Sequence, residues 1–199
     1  NNIENKDSLK LSDFLDDKEF VVKGDFIFPR EGRQDKKIRN IIQITPEFLR
    51  LIGYFLAEGY IVKKANSLQF SFAKHEDIYI NEVIGLMEKI FGVNLFKKRE
   101  RNGYELYFLS KAVVSFFDVL FYEENKAKRA FTKKIPPFMM YLPLEKQVEL
   151  FKGWWRGDAG VSVSEVLIQQ MKTICLRLGV VPSVYKVLKE KSQNYKKEI

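Results

Sequence analysis

The sequence predicts an α+β fold: a pseudo-two-fold pair of αββαββα repeats, the second of them incomplete. Three observations predict it. Two stretches, 51–60 and 150–160, share their internal offsets. Each has a glycine (Gly53, Gly153), a small residue four positions on (Ala57, Gly157) and a carboxylate five positions on (Glu58, Asp158). From the first stretch onward, hydrophobic periodicity runs helix, two strands, helix, two strands, helix. From the second onward, a helical stretch at 165–178 before Gly179 parallels one at 76–91 before Gly92.

Three segments follow along the chain: an N-terminal hairpin and basic linker (1–44), a first repeat (45–143) and a partial second repeat (144–199). Residues 9–15 suit a short helix, and 20–28 a hairpin turned at Lys23-Gly24-Asp25. The polar stretch 30–39 is either a solvated loop or a segment that lies along a polyanion. Thr45 and Pro46 are an N-cap and a first-position residue for the first motif helix, and Gly59 is placed to end it. A hairpin over 61–64 and 68–73 follows, its second strand alternating Leu68, Phe70 and Phe72 with Gln69, Ser71 and Ala73. The helix over 76–91 leads to a second hairpin, 95–100 and 104–109, turned at Asn102-Gly103, and a helix over 111–122 completes the repeat. The connection, 123–145, is dense in charge at Lys126, Lys128, Arg129, Lys133 and Lys134. In the second half, 180–190 and the polar end 191–199 parallel the second hairpin.

Composition narrows the class. With 199 residues, 46% hydrophobic and 17 Phe, the chain can bury one large core or two small repeats around a shared one. No apolar run reaches the roughly 18 residues that span a bilayer, so the sequence predicts a soluble, cytoplasmic protein with no membrane partner. A single cysteine, Cys175, excludes an intrachain disulfide, and with one histidine, His75, there is no His/Cys zinc cluster. Any metal is therefore held by oxygen, which favours magnesium, calcium or manganese. A formal charge of +8 and a pI near 9.4 suit a polyanionic partner.

The two motifs carry the chemistry. On a helix, positions four apart share a face, and small residues there let two helices bring their backbones together. Glu58 and Asp158 then converge, each at a helix C-terminus whose dipole disfavours a carboxylate. Two such acids need a cation.

These residues resemble the LAGLIDADG homing endonucleases in their two-motif, single-chain form, as in archaeal intein endonuclease domains. The first copy has Gly53, Ala57, Glu58 and Gly59 in register; the second has Ala159 at the last glycine, with Gly160 one place late. The resemblance implies a site-specific endonuclease, monomeric with internal pseudo-two-fold symmetry, that cuts both strands of duplex DNA with Mg2+ (or Mn2+) held by Glu58 and Asp158. Lys133, in the pattern Lys-x-Ile-Pro at 133–136, is similar to a catalytic lysine of intein endonucleases; its other reading is a solvated linker lysine. Each half's four strands would form a DNA-binding saddle. Gln69, Ser71, Lys97, Lys98, Arg99, Arg101 and Tyr107 are the candidate DNA contacts, or else a polar face that keeps a sheet edge soluble. A degenerate DNA binder or an RNA-splicing maturase of the same fold is the alternative.

The second repeat is short by roughly a hairpin between Asp158 and Gly179. The expectation is of a segment missing between Val161 and Glu165 and of a further C-terminal tail.

Overall fold

In the structure, a computed structural model, residues 7–30, 37–124 and 130–187 are described. The chain is α+β, with five helices and three antiparallel sheets among these residues. None of the described helices is long and apolar enough to cross a membrane.

The first motif helix, α1 (Pro46–Glu58), starts as its sequence dictates, with the Phe48 N–H donating to Thr45 Oγ1 at 3.2 Å and Pro46 in the first turn. Every residue from Leu51 to Leu56 is buried, so α1 is the central post of the fold. It runs directly into β6 (Gly59–Val62), which pairs with β7 (Ser67–Ala73); β7 pairs with β9 (Gly103–Leu109), and β9 with β8 (Phe96–Arg99). The resulting four-stranded sheet, in the order β6-β7-β9-β8, turns Leu68, Phe70, Phe72 and Leu106 inward. Helices α2 (Asp77–Phe91) and α3 (Lys111–Phe121) complete this half, with a left-handed Gly92 ending α2 and Ser110 capping α3.

The N-terminal segment forms β1 (Ser8–Lys10), β2 (Phe20–Lys23), β3 (Phe26–Pro29), β4 (Ile38–Arg39) and β5 (Ile41–Gln43). The hairpin at Gly24 is present, with φ +58° at the turn. The helix expected over 9–15 is instead a strand followed by a 3-10 turn at Leu11–Phe14. Leu9 and Leu11 are both buried, a period of two, and the Leu11 and Ser12 N–H groups bond to Asn40. Ile38, in the stretch read as linker, pairs with Ile27 in the same core. The rest of that linker (31–36) lies outside the described residues, as do Lys126, Lys128 and Arg129.

The second half is two helices, α4 (Leu144–Asp158) and α5 (Glu165–Arg177). No strand occurs at 161–164 or at 180–187, so the second hairpin expected from 180 is absent as far as residue 187; 188–199 lie outside the described residues. The cause is local. Where α1 ends at Gly59 in extended backbone, φ −84°, α4 ends at Ala159 in the left-handed region, φ +48°, followed by Gly160 at φ +86°. That reversal bonds the Val161 N–H back to the Asp158 carbonyl at 2.9 Å, and Ser164 caps α5 three residues later. A strand has no room to leave.

A left-handed alanine costs about 1–2 kcal/mol, and glycine's extra freedom in the unfolded chain costs about 0.4–1 kcal/mol. Ala159→Gly is therefore expected to stabilise the protein by about 0.5–1 kcal/mol. A higher urea midpoint at unchanged slope checks it.

Candidate active site

The site begins with two glycines. A Cβ on Gly53 would strike the Leu150 carbonyl and lie 2.7 Å from the Trp154 nitrogen; one on Gly153 would strike the Arg50 carbonyl and lie 3.0 Å from the Gly53 Cα. The helices α1 and α4 thus touch backbone to backbone. One turn on, Gly157 faces Ala57, and a Cβ at Gly157 would strike that of Ala57 and come within 3.1 Å of the Glu58 Cγ. The pairing predicted from the spacing is the pairing observed, and it brings the helix ends that bear Glu58 and Asp158 together.

Among the described residues, neither carboxylate accepts a hydrogen bond or joins an ion pair. Burial first, then the nearby charges of Asp158 and Glu76, push Glu58 up to about 7. Burial likewise raises Asp158, which Lys133 partly offsets. Two half-buried oxygen donors without partners are a donor set of the kind a hard divalent cation takes.

Lys133 is buried, and its Nζ donates to the last carbonyls of α1: Phe55 at 2.9 Å, Leu56 at 3.0 Å and Ala57 at 3.3 Å. It is thus no solvated linker lysine but a cation at the negative end of the helix dipole, bonding the Leu56 and Ala57 carbonyls and sharing the Phe55 carbonyl with the Gly59 N–H. Burial lowers it to about 8 against the pull of Asp158 and Glu58. Its backbone is fixed by a bridge to Tyr122 and by the Ser164 hydroxyl, which donates to the Lys133 carbonyl at 2.7 Å.

Two features escaped the sequence reading. Glu76, just past the end of β7, accepts from the Ala73 N–H at 2.6 Å and adds a third carboxylate to the field at Glu58. Its signal was available in principle: an antiparallel strand paired to β6 returns the chain to the end where Glu58 sits. The second is Glu82 on α2, which accepts from Arg50 (2.7 Å) and Tyr54 (2.6 Å) of α1 and from Arg156 of α4 (2.9 Å). Arg50 also bonds to Glu149 of α4. One carboxylate therefore ties both motif helices to α2.

The seven candidate DNA contacts do not share a face. Gln69 and Ser71 of β7 stand opposite Tyr107 and Glu105 of β9, and those opposite Phe96 and Lys98 of β8. Gln69, Ser71, Lys98 and Tyr107 therefore lie on the side away from the core. Lys97 and Arg99 alternate to the other side, where Lys97 sits 3.9 Å over the Tyr104 ring and 3.4 Å from Asp77. Arg101 is exposed in the turn. A run of basic residues on a strand is split between two faces by the period of two.

No protein-family profile matches the chain. It is similar to two uncharacterized proteins of Methanocaldococcus jannaschii. One is 39% identical over 147 residues, covering 73% of this chain and 18% of the relative. The other is 29% identical over 172 residues, covering 76% of this chain and 19% of the relative. It is also similar to the DNA polymerase II large subunit of Thermococcus kodakarensis, 29% identical over 158 residues, 72% of this chain and 8% of that protein. The chain spans less than a fifth of the length of each of these curated relatives.

Proposed function

We propose that this chain is a LAGLIDADG-type, site-specific double-strand DNA endonuclease, intein- or intron-encoded, working with Mg2+ or Mn2+. One observation carries the reading: two carboxylates without protein partners, at the touching ends of paired helices, beside a buried lysine. The net charge of +8 and the similarity to short stretches of much longer proteins, one of them named as a DNA polymerase subunit, accord with a DNA-acting module embedded in a larger chain.

Glu58 and Asp158 would hold the divalent cations. When bound, such cations neutralise charge on a scissile phosphate and make water a better nucleophile. Water attacks phosphorus, the bond to the 3′ oxygen breaks in line, and that oxygen leaves as a hydroxyl. Glu58 must be ionised to act as a ligand, so its raised pKa makes it release its proton near neutrality. Lys133 holds positive charge at the end of α1 that carries Glu58. To polarise water or phosphate directly, its Nζ would exchange one of its three carbonyls, of which Ala57 is the longest contact. A DNA binder that nicks or does not cut is the second reading, favoured by the lack of strands at 161–187 in the second half.

Incubation with intronless or intein-less target duplexes, with Mg2+ and with chelator, tests the reading on a gel. The expected result is Mg2+-dependent double-strand breaks at one site, with binding that weakens by about 10²-fold or more between 50 and 200 mM salt. Salt-independent affinity would overturn the DNA reading; binding with single-strand nicks would establish the second.

A further inference from the structure

Gly53 against Gly153 and Gly157 against Ala57 fix how near α1 and α4 come, but residues this small present almost no ridge that can interlock. The angle and slide of the two helices at that contact are left to the side chains around it. On the α2 side those side chains converge on Glu82. Its Oε1 accepts from Arg50 Nη1 at 2.7 Å, and its Oε2 accepts from the Tyr54 hydroxyl at 2.6 Å and from Arg156 Nη1 at 2.9 Å. Arg50 and Tyr54 lie on the face of α1 that ends at Glu58, eight and four positions before it. Arg156 lies two positions before Asp158 on α4. Tyr79, one turn before Glu82 on α2, meets both sides: its ring is 6.0 Å from that of Tyr54 and 6.0 Å from the Arg156 guanidinium.

We propose that Glu82 is a positioning residue for the paired acids, a brace from α2 that sets the angle at which the ends of α1 and α4 meet and so the separation of Glu58 and Asp158. The proposal rests on the DNA-cutting reading and names what holds its site in register. Glu82 acts through Tyr54 and Arg156. A carboxylate suits the task because two acceptor oxygens serve three donors drawn from both helices, where a glutamine, with one such oxygen, cannot serve all three. The side chain is 24% exposed, so these charge-assisted bonds are shielded more than those of a surface pair.

The test compares the parent chain with Glu82→Ala, with Arg156→Met, which keeps the stem and drops the charge, and with the double variant. Single-turnover cleavage of the target duplex, duplex affinity and Mn2+ affinity are measured, with circular dichroism melts showing that each protein is folded at the assay temperature. Each single variant is expected to lose about 10- to 100-fold in cleavage rate and about tenfold in Mn2+ affinity while duplex affinity is unchanged. The double variant is expected to lose no more than either single one, because both open the same brace. A merely structural Glu82 would move the melt and leave the rate of the folded protein alone. A folded Glu82→Ala that cuts and binds Mn2+ as the parent does, or losses that multiply in the double variant, overturns the proposal and leaves the endonuclease reading standing. If Glu82→Ala does not fold, Arg156→Met decides on the same measurements. A parent that binds Mn2+ but does not cut overturns the endonuclease reading, and Mn2+ affinity then decides the brace. A parent that neither cuts nor binds Mn2+ overturns both.

Discussion

Replacing Glu58 by Gln or Asp158 by Asn is expected to lower double-strand cleavage by about 10³-fold while duplex binding stays within about tenfold. The amide keeps the shape that packs beside Gly157 but is a far poorer ligand for a hard cation. Full cutting by the double variant would overturn the assignment of both acids. Stability should move the opposite way. Glu58 has a folded pKa of about 7 against an ordinary 4.5, so the fold binds its proton more tightly than the unfolded chain does. Its stabilising contribution is complete below pH 4.5 and is lost as pH rises through 7. At pH 8 without metal, Glu58→Gln removes the cost of the ionised group, and after discounting for water at this half-buried site the gain is about 1 kcal/mol. Lys133, depressed to about 8, runs in the other direction: its contribution is present above 10.5 and is lost as pH falls through 8. Urea titrations at pH 5, 8 and 10.5 separate the two, Glu58 acting over the first interval and Lys133 over the second.

Gly153→Val is expected to destabilise the protein by about 3 kcal/mol or more, and to abolish cutting in whatever fraction remains folded. The branched side chain would start from a Cβ already against the Arg50 carbonyl and 3.0 Å from the Tyr54 nitrogen. Neither of those is a flexible side-chain end that can swing aside. The helices would have to part, and Glu58 and Asp158 would part with them. Against a total stability of about 5–15 kcal/mol this is a large fraction. A urea midpoint equal to that of the parent would mean that α1 and α4 do not meet as described.

What was legible in the sequence was local. Thr45-Pro46 at the start of α1, the alternation in β7 and Gly92 after α2 are each decided by a few adjacent residues, and each is where the sequence placed it. The helix pairing was legible because a small residue at spacing four has one steric use, and Gly53 and Gly153 both have it. Long-range geometry was not. No local signal says that Ser8–Lys10 pair with a strand at Ile41–Gln43 rather than coil into a helix. Lys133 was found by its similarity to a motif, but its three carbonyl partners belong to a helix far back in the chain. The basic run at 97–99 reads in sequence as one surface, although the period of two assigns Lys98 to the outer face and Lys97 and Arg99 to the other. The second half misled most, because the parallel with the first half held for α5 and failed at Ala159 and Gly160, two successive left-handed residues that turn the chain back.

The capping of α1 by Lys133 also sets the order in which the molecule can be finished. The last carbonyls of the helix that bears Glu58 wait for a residue 76 to 78 positions later, and the bonds of its flank to Glu149 and Arg156 span 99 and 102 positions. Contacts of such sequence separation form late, after the loops between them have closed. During synthesis from the N-terminus, the sheet and α1 to α3 can assemble while Glu58 still lacks its opposing acid. The two carboxylates meet only when the second half docks, so the paired-acid site is assembled in the last step of folding.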